Sequence, residues 1–192
     1  MRRTLPREVR IIGGLWKRSK LPVAESPGLR PTPDRVRETL FNWLGQTLAG
    51  WRCVDAFAGS GALGFEAASR GASDVVLVER DGGLAKNLEA SKLRLGAAAV
   101  RVERADAIQW LGRAPRDSVD LVFLDPPFDS GLAPAALAAA ASVVVPAGFI
   151  YLEAPQPIDT AAGAATGGML ELHRSARAGA VHFGLFRKRE VA

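Results

Sequence analysis

Apolar and polar positions change their rhythm along this chain. From about residue 51, short apolar stretches that read as strands fall near 51–57, 74–79, 98–104, 119–124 and 147–153. Between them, stretches with helical spacing occupy roughly 61–70, 83–95, 106–112 and 131–142. Regular alternation at this interval predicts an α/β fold, a mostly parallel sheet with helices on both faces. The alanine-rich run 133–141 reads as a helix filled with the best helix former. Near the end the rhythm shifts: 169–174 and 180–188 are strand-like with only Ser175 to Gly179 between them. They predict an antiparallel hairpin that closes the sheet. The Pro-, Ala- and Gly-rich stretch 155–168 leaves room for a short helix at most.

Before residue 51 the pattern differs. Val9 to Arg18 predicts two short strands around Gly13-Gly14, because glycine accepts the positive φ of a tight turn. Basic residues alternate there with Ile, Leu and Trp, so one face can pack while the other stays cationic. Thr32 is expected as a helix N-cap, with Pro33 at the first helical position. The helix that follows, about 33–45, places Val36, Leu40, Trp43 and Leu44 on one stripe and Arg35 and Arg37 off it. Gly45 or Gly50 would end it. These patterns divide the chain into a basic hairpin extension, 1–29, and a domain, 30–192, that includes its leading helix.

The 192 residues, 48% apolar and 23% charged, suffice for one globular domain with a real core. No apolar run has membrane-spanning length and no signal peptide is evident, so a cytoplasmic protein is expected. The single cysteine, Cys53, excludes an intramolecular disulfide and reads as an inert core thiol. With only His173 and His182 besides, both in strand-like runs, no metal site is expected. Charge is uneven. Residues 1–37 hold ten Arg or Lys against three acids, leaving +7, while the remainder carries −2. Such a segment, with Arg10, Lys17, Arg18 and Lys20, suits docking on phosphates; a solvated tail is the alternative.

Four strand ends carry candidate chemistry. Val54-Asp55-Ala56-Phe57-Ala58-Gly59-Ser60-Gly61-Ala62-Leu63-Gly64 joins the first strand of the α/β part to its first helix, and its glycines let backbone approach a ligand. Alone, Gly59-x-Gly61-x-x-Gly64 fits NAD as well as S-adenosylmethionine. Asp55, ahead of the glycines, favours the latter by offering a carboxylate to a cationic amino-acid group. Glu79 ends the second strand, where an acid can accept from both hydroxyls of a ribose, with Arg80 beside it. Asp106 follows the third strand and can accept from an adenine amine, with the Ala107 N–H adjacent; it can equally cap the next helix. Asp125-Pro126-Pro127-Phe128 closes the fourth strand. An acid, a carbonyl fixed by two prolines and an aromatic face can hold a planar group bearing an amine. By itself the segment could be a Pro-rich turn with Phe128 in the core. Beside the glycine loop it reads as an amine-methylation site.

Arg10-Ile11-Ile12-Gly13-Gly14, Leu21-Pro22 and the stretch from Arg30 to Leu44 resemble the RsmD family, bacterial 16S rRNA guanine-N2 methyltransferases. Phe57 to Gly64, Asp125 to Phe128 and the closing hairpin fit too. The resemblance implies a class I S-adenosylmethionine-dependent, Rossmann-like methyltransferase. It implies cofactor contacts at Phe57, Gly59, Gly61, Glu79, Asp106 and Asp125. Thr32, Arg30 and Arg35 fall in the segment that covers cofactor or substrate, Arg35 alternatively forming a surface ion pair with Asp34 or Glu38. Asp125, Pro126 and Phe128 would carry the catalysis, with Pro127 and Phe128 also against the RNA. The implied partner is 16S rRNA in a small subunit or an assembly intermediate, met by a monomer. Only nine residues precede Arg10, so no longer RNA-binding extension is expected. An amino methyltransferase acting on DNA adenine or protein glutamine, and a non-catalytic RNA-binding module, are the competing readings.

Overall fold

The computed structural model describes residues 8–24 and 32–190, so Arg30 lies outside the described residues. Its elements are β1 (Glu8–Arg10), β2 (Lys20–Pro22), α1 (Asp34–Trp43), β3 (Arg52–Asp55), α2 (Ala62–Ser69), β4 (Asp74–Glu79), α3 (Gly82–Leu95), β5 (Val100–Arg104), α4 (Ala107–Arg113), β6 (Val119–Leu124), α5 (Ala133–Val143), β7 (Val144–Ala154), α6 (Thr160–Ala164), β8 (Leu170–Ala178) and β9 (Val181–Lys188). Seven strands form one sheet in the order β5-β4-β3-β6-β7-β9-β8. β5 to β7 run parallel, and β9 and β8 are antiparallel additions at one edge. The expected closing hairpin is there, but β8 runs on to Ala178 and leaves only Gly179-Ala180 as the turn.

Two cores explain why the strands read as nearly continuous apolar runs. Side chains alternate across a strand, so a sheet covered on both faces buries both parities. Cys53, Val75, Leu77, Leu121, Phe123 and Tyr151 face a core closed by α1, α2 and α3. Val54, Val76, Val78, Val122, Leu124 and Leu152 face the other, closed by α4 and α5. α2 is buried on every side. It lies under both the sheet and the N-terminal segment.

That covering corrects the expected hairpin. β1 pairs with β2, Val9 opposite Leu21, and Leu15 to Arg18 form turns, not a second strand. The backbone donors of the loop are taken by α2. The N–H groups of Ile12 and Gly13 each donate to Glu66 at 2.8 Å, and the Leu15 N–H to the Ser69 carbonyl at 2.7 Å. Gly14 permits the approach: it has φ +72°, and a Cβ there would lie 1.8 Å from the Ser69 oxygen.

α1 corrects two further expectations. Pro33 occupies the N-cap position and no side chain caps the helix; Thr32 turns its hydroxyl elsewhere. Arg37, expected off the buried stripe, is fully buried with Val36, Leu40 and Phe41. Its guanidinium donates to Asp34 at 2.6 Å, to the Arg10 carbonyl at 2.9 Å, to the Thr32 carbonyl at 3.3 Å and to Glu66 at 3.4 Å. Arg70 donates to the other Glu66 oxygen at 2.9 Å and lies 4.6 Å over the Phe41 ring. A helix stripe counts apolar residues, and a charge buried by pairing escapes it.

Candidate active site

The sheet order reverses between β3 and β6: the chain winds outward through β4 to one side and through β7 to the other. At such a switch point the carboxyl ends of two adjacent strands open a crevice. Asp55 closes β3 there, buried to 1% exposure. One oxygen accepts the Gly64 N–H at 2.9 Å. The other, Oδ1, is buried with no partner among the described residues. An unpaired buried acceptor is costly, and this oxygen has capacity left for a donor. Burial pushes the Asp55 carboxyl up to about 7; the Gly64 N–H and, more weakly, the nearby Phe57 N–H oppose this, and the charges of Glu79 and Glu153 add to it. Gly64 belongs here for space: a Cβ on it would stand 2.1 Å from Leu77 and 3.2 Å from Asp55.

The remaining acids follow in strand order. Glu79, half-buried at the end of β4, accepts the Gly59 N–H at 2.9 Å and the Asp81 N–H at 2.8 Å. It therefore fixes the glycine loop as well as facing the crevice. Arg80 next to it is exposed, and Gly61 opens α2 in the left-handed conformation. Asp106 caps α4 through the Gln109 N–H at 3.0 Å, and Ala107 behind it is buried. Phe57 packs partly into the second core.

Asp125 follows β6. As a residue it keeps partial solvent access, but protein densely surrounds its carboxyl group, and that burial raises it well above the carboxylate range, with Glu153 and Asp55 adding to the shift. The Thr32 hydroxyl donates to Asp125 at 3.4 Å, which is where the side chain expected as a helix cap has gone. Pro126 is buried, Pro127 exposed, and Phe128 half-buried at the start of a short 3-10 turn. Pro126, Pro127, Phe128 and Glu153 line one small cavity of about 30 Å³.

Glu153 was not anticipated. It is 2% exposed at the end of β7 and accepts the Tyr151 hydroxyl at 2.9 Å. Burial pushes it up to about 7 against the pull of Thr32, Tyr151 and Arg37. The signal was present: Ile150-Tyr151-Leu152-Glu153 is an apolar strand closed by an acid, as are those ending in Asp55 and Glu79.

The basic candidates gather only in part. Lys17 and Arg18 are exposed in the loop between β1 and β2, beside Leu15, which is 82% exposed. Arg10 is paired with Asp34 and Lys20 with Glu8, each at 2.8 Å. Arg35 is exposed on α1, while Asp34, one of its two expected partners, is held by Arg10 and Arg37.

A parallel sheet reversing at β3/β6, helices on both faces, acids at successive strand ends and an antiparallel closing hairpin define the class I methyltransferase fold. The solved structure of yhhF from Escherichia coli superposes with a TM-score of 0.81 at 36% identity, over 95% of this chain and 98% of that one. HI0767 from Haemophilus influenzae gives 0.78 at 35% identity, over 95% and 99%. The family model described as conserved hypothetical protein 95 matches residues 9–187, and the chain belongs to this family, the RsmD family. Ribosomal RNA small subunit methyltransferase D of Escherichia coli is 49% identical over 125 residues, 65% of this chain. The aligned part spans 63% of that relative's length, under two thirds. The protein of the same name from Haemophilus influenzae is 47% identical over 134 residues, 68% of this chain and 69% of its own.

Proposed function

We propose that this protein methylates the exocyclic N2 amine of a guanine in 16S rRNA of the small ribosomal subunit, using S-adenosylmethionine, as a cytoplasmic monomer. The observation that carries the reading is the adjacency of β3 and β6. Asp125-Pro126-Pro127-Phe128 closes one strand, and Asp55, with its buried unpartnered oxygen, closes the next. The family membership and the relatives' names point the amine at ribosomal RNA. Guanine N2 rests on the likeness of the Arg30-to-Leu44 stretch.

The residues present fit the cofactor. Asp55 faces a cationic amino-acid group, Glu79 the ribose hydroxyls, and Asp106 with the Ala107 N–H the adenine. Phe57, Gly59, Gly61, Arg80 and Thr32 surround them. When bound, S-adenosylmethionine supplies a methyl group already activated by its positive sulfur, so the chain's work is alignment more than acid–base chemistry. Asp125 and the Pro126 carbonyl accept the hydrogens of the base amine. This favours a more tetrahedral nitrogen, its lone pair released from the ring. Phe128 stacks on the base, worth about 1–3 kcal/mol by the precedent of single-strand binders. The base must be unpaired or flipped to enter. The basic extension, with Arg10, Lys17, Arg18 and Lys20, holds the RNA, and Arg35 and Pro127 lie along its path.

Tritiated-methyl transfer to 30S subunits, naked 16S rRNA, DNA and protein tests the reading, with nucleoside digestion to identify the product. N2-methylguanosine from the ribosomal substrates is expected. Label in DNA alone, or in nothing, overturns the proposal. Asp125→Ala should abolish transfer while leaving S-adenosylmethionine affinity, by calorimetry, within a few-fold. Full activity in that variant would remove Asp125 from the mechanism.

A further inference from the structure

Glu153 has no task in the transfer described above, yet it stands against the residues that do. Phe123 lies opposite Tyr151 and Leu124 opposite Leu152 in the β6/β7 register, which brings Asp125 and Glu153 side by side past the last pair. Strand alternation turns both, with Asp55, onto the face that α1 covers, following Phe123, Tyr151 and Cys53. The Thr32 hydroxyl donates to Asp125 and also stands within hydrogen-bond reach of Glu153. The Pro126-to-Phe128 turn and, at the start of α5, Leu132 and Ala133 line the small cavity at Glu153 and bring no charge to it. β6 presents Asp125, β3 presents Asp55, its own strand presents Tyr151, the start of α1 presents Thr32 and Arg37, and β9 presents Phe183. Among these, Arg37 is the one cation, and its guanidinium is already bound to Asp34 and Glu66.

We propose that Glu153 is a positioning residue that shares one proton with Asp125 and so sets Asp125 as acceptor of the proton shed by the base amine. The inference rests on the methyl-transfer reading. Two adjacent enclosed carboxylates cannot both ionise cheaply, and such a pair titrates as a unit. The raised carboxyls of both residues agree with this. As the N–CH3 bond forms and the S–CH3 bond breaks, its electron pair stays on sulfur and the nitrogen carries one proton in excess. That proton passes to the Asp125 carboxylate, leaving the amine neutral and both acids protonated. Solvent takes the proton after the product departs.

Glu153→Gln keeps the shape and an acceptor for the Tyr151 hydroxyl while removing the charge. In the free protein, carbon-13 carboxyl NMR should show the Asp125 midpoint falling by about one unit or more, since the like charge beside it is gone. The acidic limb of the rate–pH profile on 30S subunits should move the same way. The plateau rate should drop several-fold, and KM for S-adenosylmethionine should stay within a few-fold. A merely structural Glu153 would lower the rate at every pH and leave both midpoints in place, and that result overturns the proposal. Tyr151→Phe gives a second route should the first variant fold poorly. Loss of the hydroxyl should raise the Glu153 midpoint and lower that of Asp125; an unmoved Asp125 counts against the pair. Wild-type protein that methylates 30S subunits with an uncoupled Asp125 sinks the shared proton and spares the function. Coupled titration without methyl transfer to any substrate sinks the functional reading, and the acceptor role with it.

Discussion

Arg37 and Glu66 have no solvent to fall back on, so the energetics of each depend on the other. Taking a paired charge out of water is repaid only by its partners, and removing one partner leaves the other uncompensated. Arg37→Met should therefore cost about 3 kcal/mol in urea unfolding, the low end of the range for a broken buried pair because Arg70 and two loop amides still hold Glu66. A loss below about 1 kcal/mol would mean that the pair behaves like a surface bridge. The sequence does not show this network, since an Arg on a predicted helix reads as solvated until something is known to cover it. The acids of the crevice were legible for the opposite reason. Asp55, Glu79 and Asp125 each end an apolar strand, and a parallel α/β sheet places ligands at strand ends whatever the tertiary detail. Glu153 obeys the same rule. It escaped because Ala154 and Pro155 after it offer neither a glycine turn nor a recognisable motif.

At the scale of elements, the strands and helices from residue 52 onward follow the apolar rhythm closely, because both faces of the sheet are covered and each parity is fixed by burial. The hairpin did not follow its local pattern. Gly13-Gly14 looks like a turn between strands, but the loop spends its amide hydrogens on α2, which no short-range signal reveals. This changes how its charges should act. Arg10 and Lys20 sit in ion pairs at the strand ends, whereas Lys17 and Arg18 project from the loop. For single-stranded RNA, every phosphate left without its cation reduces the log–log salt slope of binding by about 0.7. Lys17→Gln with Arg18→Gln should thus flatten the slope for RNA by about 1.4. The pair Arg10→Gln with Lys20→Gln should change it less. Titration of binding against salt distinguishes them, and an unchanged slope in the first double variant would leave the loop as solubilising surface.

For the whole molecule, the crevice makes stability depend on pH in a direction opposite to the usual acid denaturation. Asp55 and Glu153 are raised to about 7 in the folded protein, each chiefly by burial, against an ordinary value near 4 in the unfolded chain. Between those values the native state binds more protons than the unfolded one, so stability falls as pH rises through about 4 to 7 and stays low above. Asp120 does not mask this. Burial alone would push it up, but hydrogen bonds from Arg52 outweigh that and hold it below its ordinary value, outside the window. Melting temperature should therefore decline from pH 5 to pH 8, by about 2–4 °C for each kcal/mol lost in a chain of this size. Asp55→Asn, which cannot ionise, should melt higher than the wild type at pH 8 and show a flatter profile. A wild-type curve that rises across this range, or a variant with the same slope, would mean that these acids are ionised without cost in the folded state. The cost is concentrated where the strands of the parallel sheet end: Asp55 on β3 and Glu153 on β7 are the acids that burial raises, so above about pH 7 the fold gives up stability to keep negative charge at that end of the sheet.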